Sequence, residues 1–444
     1  MATRSDKMNL AAFVAAGPVS GSHGGWRFPS ADRNFLNASY YTNIGRLLEQ
    51  ARFDLMFIAD VLAIPTRFEG SYDSQLRYGA LGAMRLDPIV VLSLLSGSTT
   101  RLGLAATIST TYFEPFGIAR AMATLDHLSE GRAAWNIVTS VQEAEARNFS
   151  RTKHPSHEER YDRADEFLDV ACKLWDSWND GALVLDTKTP IFADPAQVHP
   201  INHKGRWFEV DGPLNVPRSP QGRPVFIQAG ASDRGRDFAA RWAEIIFVTH
   251  ASLDSAKSFY RDMKERIAKA GRDPSRVKIL PGIRPIVGET RTIVDEIVKV
   301  IDGLVEPKAG LSTLAYHLDI DLSKYPQDEV LPIISDPGIA GHYKEVAELT
   351  QKQGLSLAEI GKRYGQGLLR DFVGTADEVT DRIETWFSQE ACDGFMVQAP
   401  YFPGALEAFA QLVIPRLQDR NLFRREYEGT TLRDHLGLVR PAIS

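Results

Sequence analysis

Short apolar runs recur along the chain with room for a helix between each pair. They lie at residues 10–16, 53–60, 102–109, 131–140, 224–230, 244–249, 276–287 and 394–399. None alternates apolar with polar positions, so each predicts a strand buried on both faces, as in a parallel sheet. The intervening segments carry the helical period. Ile44, Leu47, Leu48 and Ala51 share one face, Asp87-Pro88 caps a helix running through Leu94, and a helix covers about 117–128. Further helices are predicted over 160–178, from Asp237, over 290–304, from the capping box Thr375–Glu378 to Phe387, and over 405–418, with a polar tail beyond. Eight strand–helix units predict an α/β chain folded as a (β/α)8 TIM barrel, with a doubly wound open sheet as the alternative. Residues 141–220 and 305–370 exceed what such units need and are two insertions. No repeat or low-complexity linker divides residues 1–444, which therefore read as a single domain.

Composition narrows the function. Of 444 residues, 43% are hydrophobic and 24% charged, the balance of a soluble globular protein. A net charge of −6 without a basic stripe speaks against nucleic acid. The two cysteines, Cys172 and Cys392, are too few for a disulfide framework. No apolar stretch approaches the roughly 20 residues of a membrane span, and the N-terminus lacks a signal-peptide pattern. A cytoplasmic protein with no membrane partner is expected.

Polar residues gather where the predicted strands end: Asp60, Thr107, Asn136, Ser140 and Ser232. In a barrel, those C-terminal ends form the active-site face. Asn136 interrupts an apolar run, where an unsatisfied amide costs about 1–3 kcal/mol. A neighbouring backbone group or a bound cofactor would remove that cost. Gly230-Ala231-Ser232 joins a strand to a helix and offers backbone N–H groups, a hydroxyl and a helix N-terminus, which suits either a phosphate cradle or an ordinary cap. His157 and Tyr161, four apart, share a helix face and can add donors there. The glycine-rich loop 20–27 holds His23 and Trp26. No P-loop, dinucleotide fingerprint or nucleophile elbow is present, and His157-Glu158-Glu159-Arg160-Tyr161 lacks the second histidine of a zinc protease, so no metal is expected.

Three segments together are distinctive: Ala134-Trp135-Asn136-Ile137-Val138-Thr139-Ser140, Ala146-Arg147-Asn148-Phe149 and the run from His157 to Phe167. With Phe57-Ile58-Ala59-Asp60, Ser109-Thr110-Thr111-Tyr112, Gln228-Ala229-Gly230 and residues 431–438, they resemble the bacterial-luciferase-like flavin monooxygenases. The similarity is to the branch holding nitrilotriacetate monooxygenase, pristinamycin IIA synthase, alkane monooxygenase and dibenzothiophene-sulfone monooxygenase. It covers nearly the whole chain.

The resemblance implies a two-component enzyme. Reduced FMN would arrive from a separate NAD(P)H:flavin reductase and react with O2 as a C4a-(hydro)peroxyflavin, which oxygenates a small organic substrate. Asp60, Thr107 and Asn136 would surround the isoalloxazine, and His157, Tyr161, Ala231 and Ser232 would hold the phosphate. Phe57 and Phe247, with Phe13, match pocket aromatics, and His317 matches a histidine placed to hydrogen-bond the reacting oxygen or the substrate. Trp26 and Trp135 lie close by in sequence. An aromatic or heteroaromatic substrate of the dibenzothiophene-sulfone kind, with C–S or C–N cleavage, is expected. Arg67, Arg77 and Arg85 keep an aminopolycarboxylate open, an alkane is a further alternative, and a deazaflavin-dependent oxidoreductase shares the barrel. Two departures stand out. Val141 replaces a histidine of the alkane enzyme, and Ser20-Gly21-Ser22-His23 keeps only the second histidine of a His-x-His loop. The insertions are candidate lids, and the family implies homodimers or homotetramers.

Overall fold

A computed structural model describes residues 7–443 except 19–20, 231, 251, 332–342, 344–345, 348–349, 351–352 and 368–371. Eight parallel strands close into a barrel. They are β1 (Asn9–Ala15), β2 (Leu55–Ala59), β3 (Gly103–Ser109), β4 (Ala133–Val138), β5 (Val225–Gln228), β6 (Ile245–Val248), β7 (Lys278–Ile283) and β8 (Gly394–Val397). Each pairs with the next, and β8 pairs with β1. The expected TIM barrel is therefore present, and the open sheet is excluded. In chain order the main helices are α1 (Ala38–Gln50), α2 (Pro88–Ser96), α3 (Pro115–Leu128), α4 (His157–Trp175), α5 (Asp233–Trp242), α6 (Leu253–Lys269), α7 (Arg291–Leu304), α8 (Pro307–Leu318), α9 (Leu357–Gln366) and α10 (Ala376–Ser388).

Burial of both strand faces divides the core in two. Ala11, Leu55, Phe57, Ala105, Ala134, Val225, Ile227, Ile245, Leu280 and Met396 fill the barrel interior. The alternate residues face the helices, and Trp135 is one of them. It is fully buried, packs against Phe167 and Phe226, and donates from Nε1 to the Ile108 carbonyl at 3.1 Å. Trp135 is thus a prop between barrel and α4, not a pocket aromatic as its position in sequence suggested. One residue of register decides this, because successive side chains of a strand leave on opposite faces.

Three further departures have local causes. The predicted seventh strand is two. Lys278–Ile283 stays in the barrel, whereas Ile286–Gly288 pairs with Val373–Thr375 outside it. Pro285, between them, has no N–H to continue the ladder. The insertion expected at 141–220 is not plain loop: it holds two small ribbons, Leu183–Asp186 with Ile191–Ala193 and His203–Lys204 with Glu209–Val210. The polar tail is not merely polar. Leu432, Leu436 and Leu438 join the interior cluster. Leu432 lies beneath the start of β3, where a Cβ on Gly103 would come within 2.6 Å of it. Arg433, 1% exposed, anchors this plug through Glu244, with Nη1–Oε1 2.6 Å.

Candidate active site

The strand ends meet at one mouth, and the parallel register explains which side chains meet. Thr107 and Asn136 are register partners on β3 and β4. Asn136 Nδ2 donates to Thr107 Oγ1 at 3.0 Å, both residues being buried. The Asn136 carbonyl oxygen, Oδ1, is buried without a hydrogen-bond partner, as is Oε1 of Gln228 at the end of β5. Ser140, in the left-handed region at φ 59°, places Oγ 2.9 Å from Ser109 Oγ.

Below this polar layer lies an aromatic floor. Phe13 and Phe57 are register partners on β1 and β2, and their rings stack at 5.3 Å. Phe247 of β6 closes the triangle, 5.8 Å from Phe13 and 6.0 Å from Phe57. The three rings pack with the top of the interior core, which makes the centre of the mouth apolar.

Asp60 stands just beyond β2. Its Oδ1 accepts from the Val61 N–H at 2.8 Å. Burial pushes its carboxyl up to about 7, assisted by the charges of Asp87 and Glu145 and opposed by the Val61 hydrogen bond and Arg85. Glu145 is itself buried and caps the short helix Glu143–Asn148, and it accepts from the Leu62 N–H at 3.1 Å.

The opposite side of the mouth is built by α4 and α5. Ser156 and Glu159 form a capping box that starts α4 at His157, so His157 and Tyr161, one turn apart, share a face at its start with rings 5.0 Å apart. Ser232 caps α5, accepting from the Gly235 N–H at 3.1 Å, and its Oγ lies 3.3 Å from His157 Nε2. Tyr161 is in hydrogen-bond reach of the side chains of Ser232 and Thr139. Only glycine fits at Gly235, where a Cβ would come to 2.8 Å from the Tyr161 hydroxyl and 3.0 Å from Ser232 Oγ. The structure therefore brings His157, Tyr161 and Ser232 together. Ala231 lies outside the described residues.

His317 sits on α8 in the second insertion, with Nδ1 hydrogen-bonded to the hydroxyl of Tyr364 on α9. The preceding Tyr316 faces Glu145, Arg85 and Asp60, and burial raises its hydroxyl pKa far above the ordinary range. Of the other sequence-noted residues, Trp26 donates to the Tyr78 carbonyl at 3.1 Å, and Arg67 pairs with Asp319.

Sequence reasoning missed Tyr316, Glu145, Gln228 and the Tyr112–His154 pair, in which Tyr112 Oη lies 2.6 Å from His154 Nδ1. Burial and Arg160 pull the His154 imidazole down to about 4, so it is neutral at physiological pH. Gln142 and Glu145, three apart, form a capping box that was legible; the placement of Tyr316 depends on how α8 docks and was not. Among the described residues no His, Cys, Asp and Glu side chains cluster as metal ligands, and no helix is long and apolar enough to cross a membrane.

Residues 12–392 match the family model of the luciferase-like monooxygenases. The dibenzothiophene-sulfone monooxygenase of Rhodococcus erythropolis is 44% identical over 447 residues, covering 99% of each chain. Nitrilotriacetate monooxygenase component A of Aminobacter aminovorans is 42% identical over 437 residues, covering 96% of each. A riboflavin lyase solved with modified FMN and riboflavin has a TM-score of 0.89 at 31% identity, covering 97% of this chain and 96% of that one. With relatives aligned almost end to end on the same closed barrel, the chain belongs to the luciferase-like monooxygenases and is an enzyme of that family.

Proposed function

We propose that this protein is the oxygenase of a two-component system. It takes reduced FMN from a separate NAD(P)H:flavin reductase and uses O2 to oxygenate a small organic substrate. The observation that carries this reading is the polarity of the mouth. A hydroxyl, an imidazole and a phenol converge on the N-terminus of α5, while an orphaned amide carbonyl and a carboxyl that burial keeps weak stand over an aromatic floor. The first group suits a phosphate and the second a flat ring with N–H donors, so the residues present fit FMN.

Reduced FMN with O2 would supply the oxygen atom that is inserted. The chain's own residues bind, orient and exclude water. Ser232, His157, Tyr161 and Ala231 would hold the phosphate. Asn136 Oδ1 would accept a ring N–H, and Thr107 fixes that amide from the other side. Asp60 is poised to hold or release a proton near neutral pH at its carboxyl oxygens. Phe13, Phe57 and Phe247 keep the reacting face dry, which limits unproductive release of peroxide. Tyr364 orients the His317 ring, and His317 donates to the substrate from α8.

The same aromatic floor favours an aromatic or heteroaromatic body, as in dibenzothiophene sulfone, and the reaction is read as oxygenation with C–S or C–N cleavage. The protein is further read as one domain, working in the cytoplasm as a homodimer or homotetramer on compounds of xenobiotic type. The test supplies a generic flavin reductase, NADH and labelled O2 with a panel of dibenzothiophene sulfone, nitrilotriacetate and a long-chain alkane. One labelled oxygen in a product supports the function and selects the substrate class. Failure of the chain to bind reduced FMN would overturn it.

A further inference from the structure

One cation at the mouth has no role in the flavin contacts. Arg85 lies between the end of β1 and the start of α2, where Leu86 N–H donates to the Ala16 carbonyl at 2.8 Å. Its Nη1 donates to the Met84 carbonyl at 2.9 Å, its Nε is buried without a partner, and it makes no ion pair with any described residue. Asp60, close enough to be felt electrostatically, lies outside ion-pair distance, and its Oδ1 is taken by Val61. A half-buried arginine whose Nε is shut from solvent and that faces no carboxylate partner is costly, and a bound anion removes that cost. The main chain is shaped to hold the arginine there. A Cβ on Gly17 would come to 2.5 Å from the Met84 carbonyl oxygen and 3.4 Å from Arg85 Nη1.

The neighbours are consistent with an anion as the occupant. His23, buried beside it, has an unpartnered Nδ1 and is driven to about 3 by burial and by Arg284, so it is neutral and adds no competing charge. Arg284, past β7, donates through Nε to Gln398 Oε1 at 2.8 Å and faces the same histidine. The surroundings of Arg85 are β1, β2, α1 and α8; those of Ser232 are α4 and α5. The two cationic or anion-accepting places share no residue; Phe13 and Phe57 stand on β1 and β2, beside Arg85, and Phe247 on β6, next to the strand that leads to Ser232.

We propose that Arg85 recognises one anionic group of the substrate, a carboxylate, sulfinate or sulfonate carried on an apolar body that rests on Phe13, Phe57 and Phe247. This deepens the proposed monooxygenase function by naming the substrate class, and it rests on that reading for what happens after binding. Arg85 is a specificity residue. A guanidinium fork matches a planar carboxylate or a sulfur oxyanion, whereas a lysine offers only a point charge.

The test needs no flavin. Binding of 2-naphthoate and of its neutral isostere 2-naphthamide is measured by calorimetry on the full chain, as wild type and as Arg85→Gln, Arg85→Lys and Ser232→Ala. Wild type is expected to prefer the carboxylate by about tenfold or more, the size of a desolvated charge-assisted pair. Arg85→Gln should erase that preference while keeping the amide's affinity, Arg85→Lys should restore part of it, and Ser232→Ala should leave it intact. Absence of a preference in wild type, or its survival in Arg85→Gln with loss in Ser232→Ala, overturns the proposal. Reduced-FMN titration of Arg85→Gln separates the two ideas. An unchanged affinity leaves the flavin reading standing whatever the naphthoate result, and a loss of about tenfold or more reassigns Arg85 to the flavin and overturns the substrate role.

Discussion

The helix-end side of the polar mouth and its strand-end side differ in how their polar groups are satisfied. At the α5 N-terminus every member has a protein partner: Ser232 takes the Gly235 N–H, His157 reaches Ser232, and Tyr161 reaches both Ser232 and Thr139. His157 is also open to solvent, its side chain 43% exposed. At the strand ends, by contrast, Asn136 Oδ1 on β4, Gln228 Oε1 on β5 and, beside β1 and β2, Arg85 Nε are buried with none. The first side exchanges existing hydrogen bonds for those of a ligand. The second carries an uncompensated desolvation cost in the free protein, and a ligand relieves it. Stability and affinity should therefore respond together on the first side and separately on the second.

The largest effect expected concerns the floor they share. Phe57→Ala should lower unfolding free energy by about 3–5 kcal/mol in urea titrations, because a 2% exposed ring leaves a cavity. A loss below about 1 kcal/mol would mean that the floor is not close-packed. Next come paired measurements on the two sides. Ser232→Ala and Asn136→Ala should each weaken reduced-FMN binding by about 1–3 kcal/mol in anaerobic titrations. Their fold costs should diverge. Ser232→Ala gives up a helix cap worth about 1 kcal/mol. Asn136→Leu combined with Thr107→Val, which removes the orphaned carbonyl and both partners of the buried Asn136–Thr107 hydrogen bond at similar volume, should leave the apo protein nearly as stable as wild type. Equal fold costs would erase the distinction between the sides.

The remaining effect is a pH dependence. The Asp60 carboxyl rises from 3.8 to about 7 on folding, so the folded chain holds a proton that the unfolded chain releases across that window. Asp60 consequently subtracts stability as pH rises through the window, and the loss is complete above it. Asp60→Asn should gain stability relative to wild type progressively from about pH 4 to 7 and hold a constant advantage beyond, read from urea midpoints. A flat difference across that range would place Asp60 in contact with water.

The strands were legible because a parallel barrel buries both faces of each, which leaves contiguous apolar runs. Their ends were legible as well: Asp60, Thr107 and Asn136 all fall at the mouth. What sequence could not supply was register and docking. Trp135 and Asn136 are neighbours in sequence and leave the strand on opposite faces, which no composition reveals. Tyr316 and Glu145 come from the insertions, and their approach to Asp60 is set by tertiary packing of α8 and of the helix Glu143–Asn148. The tail misled because Arg433, Asp434 and His435 mask the leucines spaced between them, and Arg433 itself is buried by its pairing with Glu244.

That tail has a consequence for the order of assembly. All eight strands leave the ribosome before Leu432, Leu436 and Leu438, yet those leucines are part of the barrel's interior core. A nascent chain can pair its strands and still leave the barrel interior unsealed at the strand starts until the plug arrives and Arg433 reaches Glu244. The vulnerable moment in biosynthesis thus falls after the eighth strand is made, and residues 432–438 act as the stopper that completes the interior core.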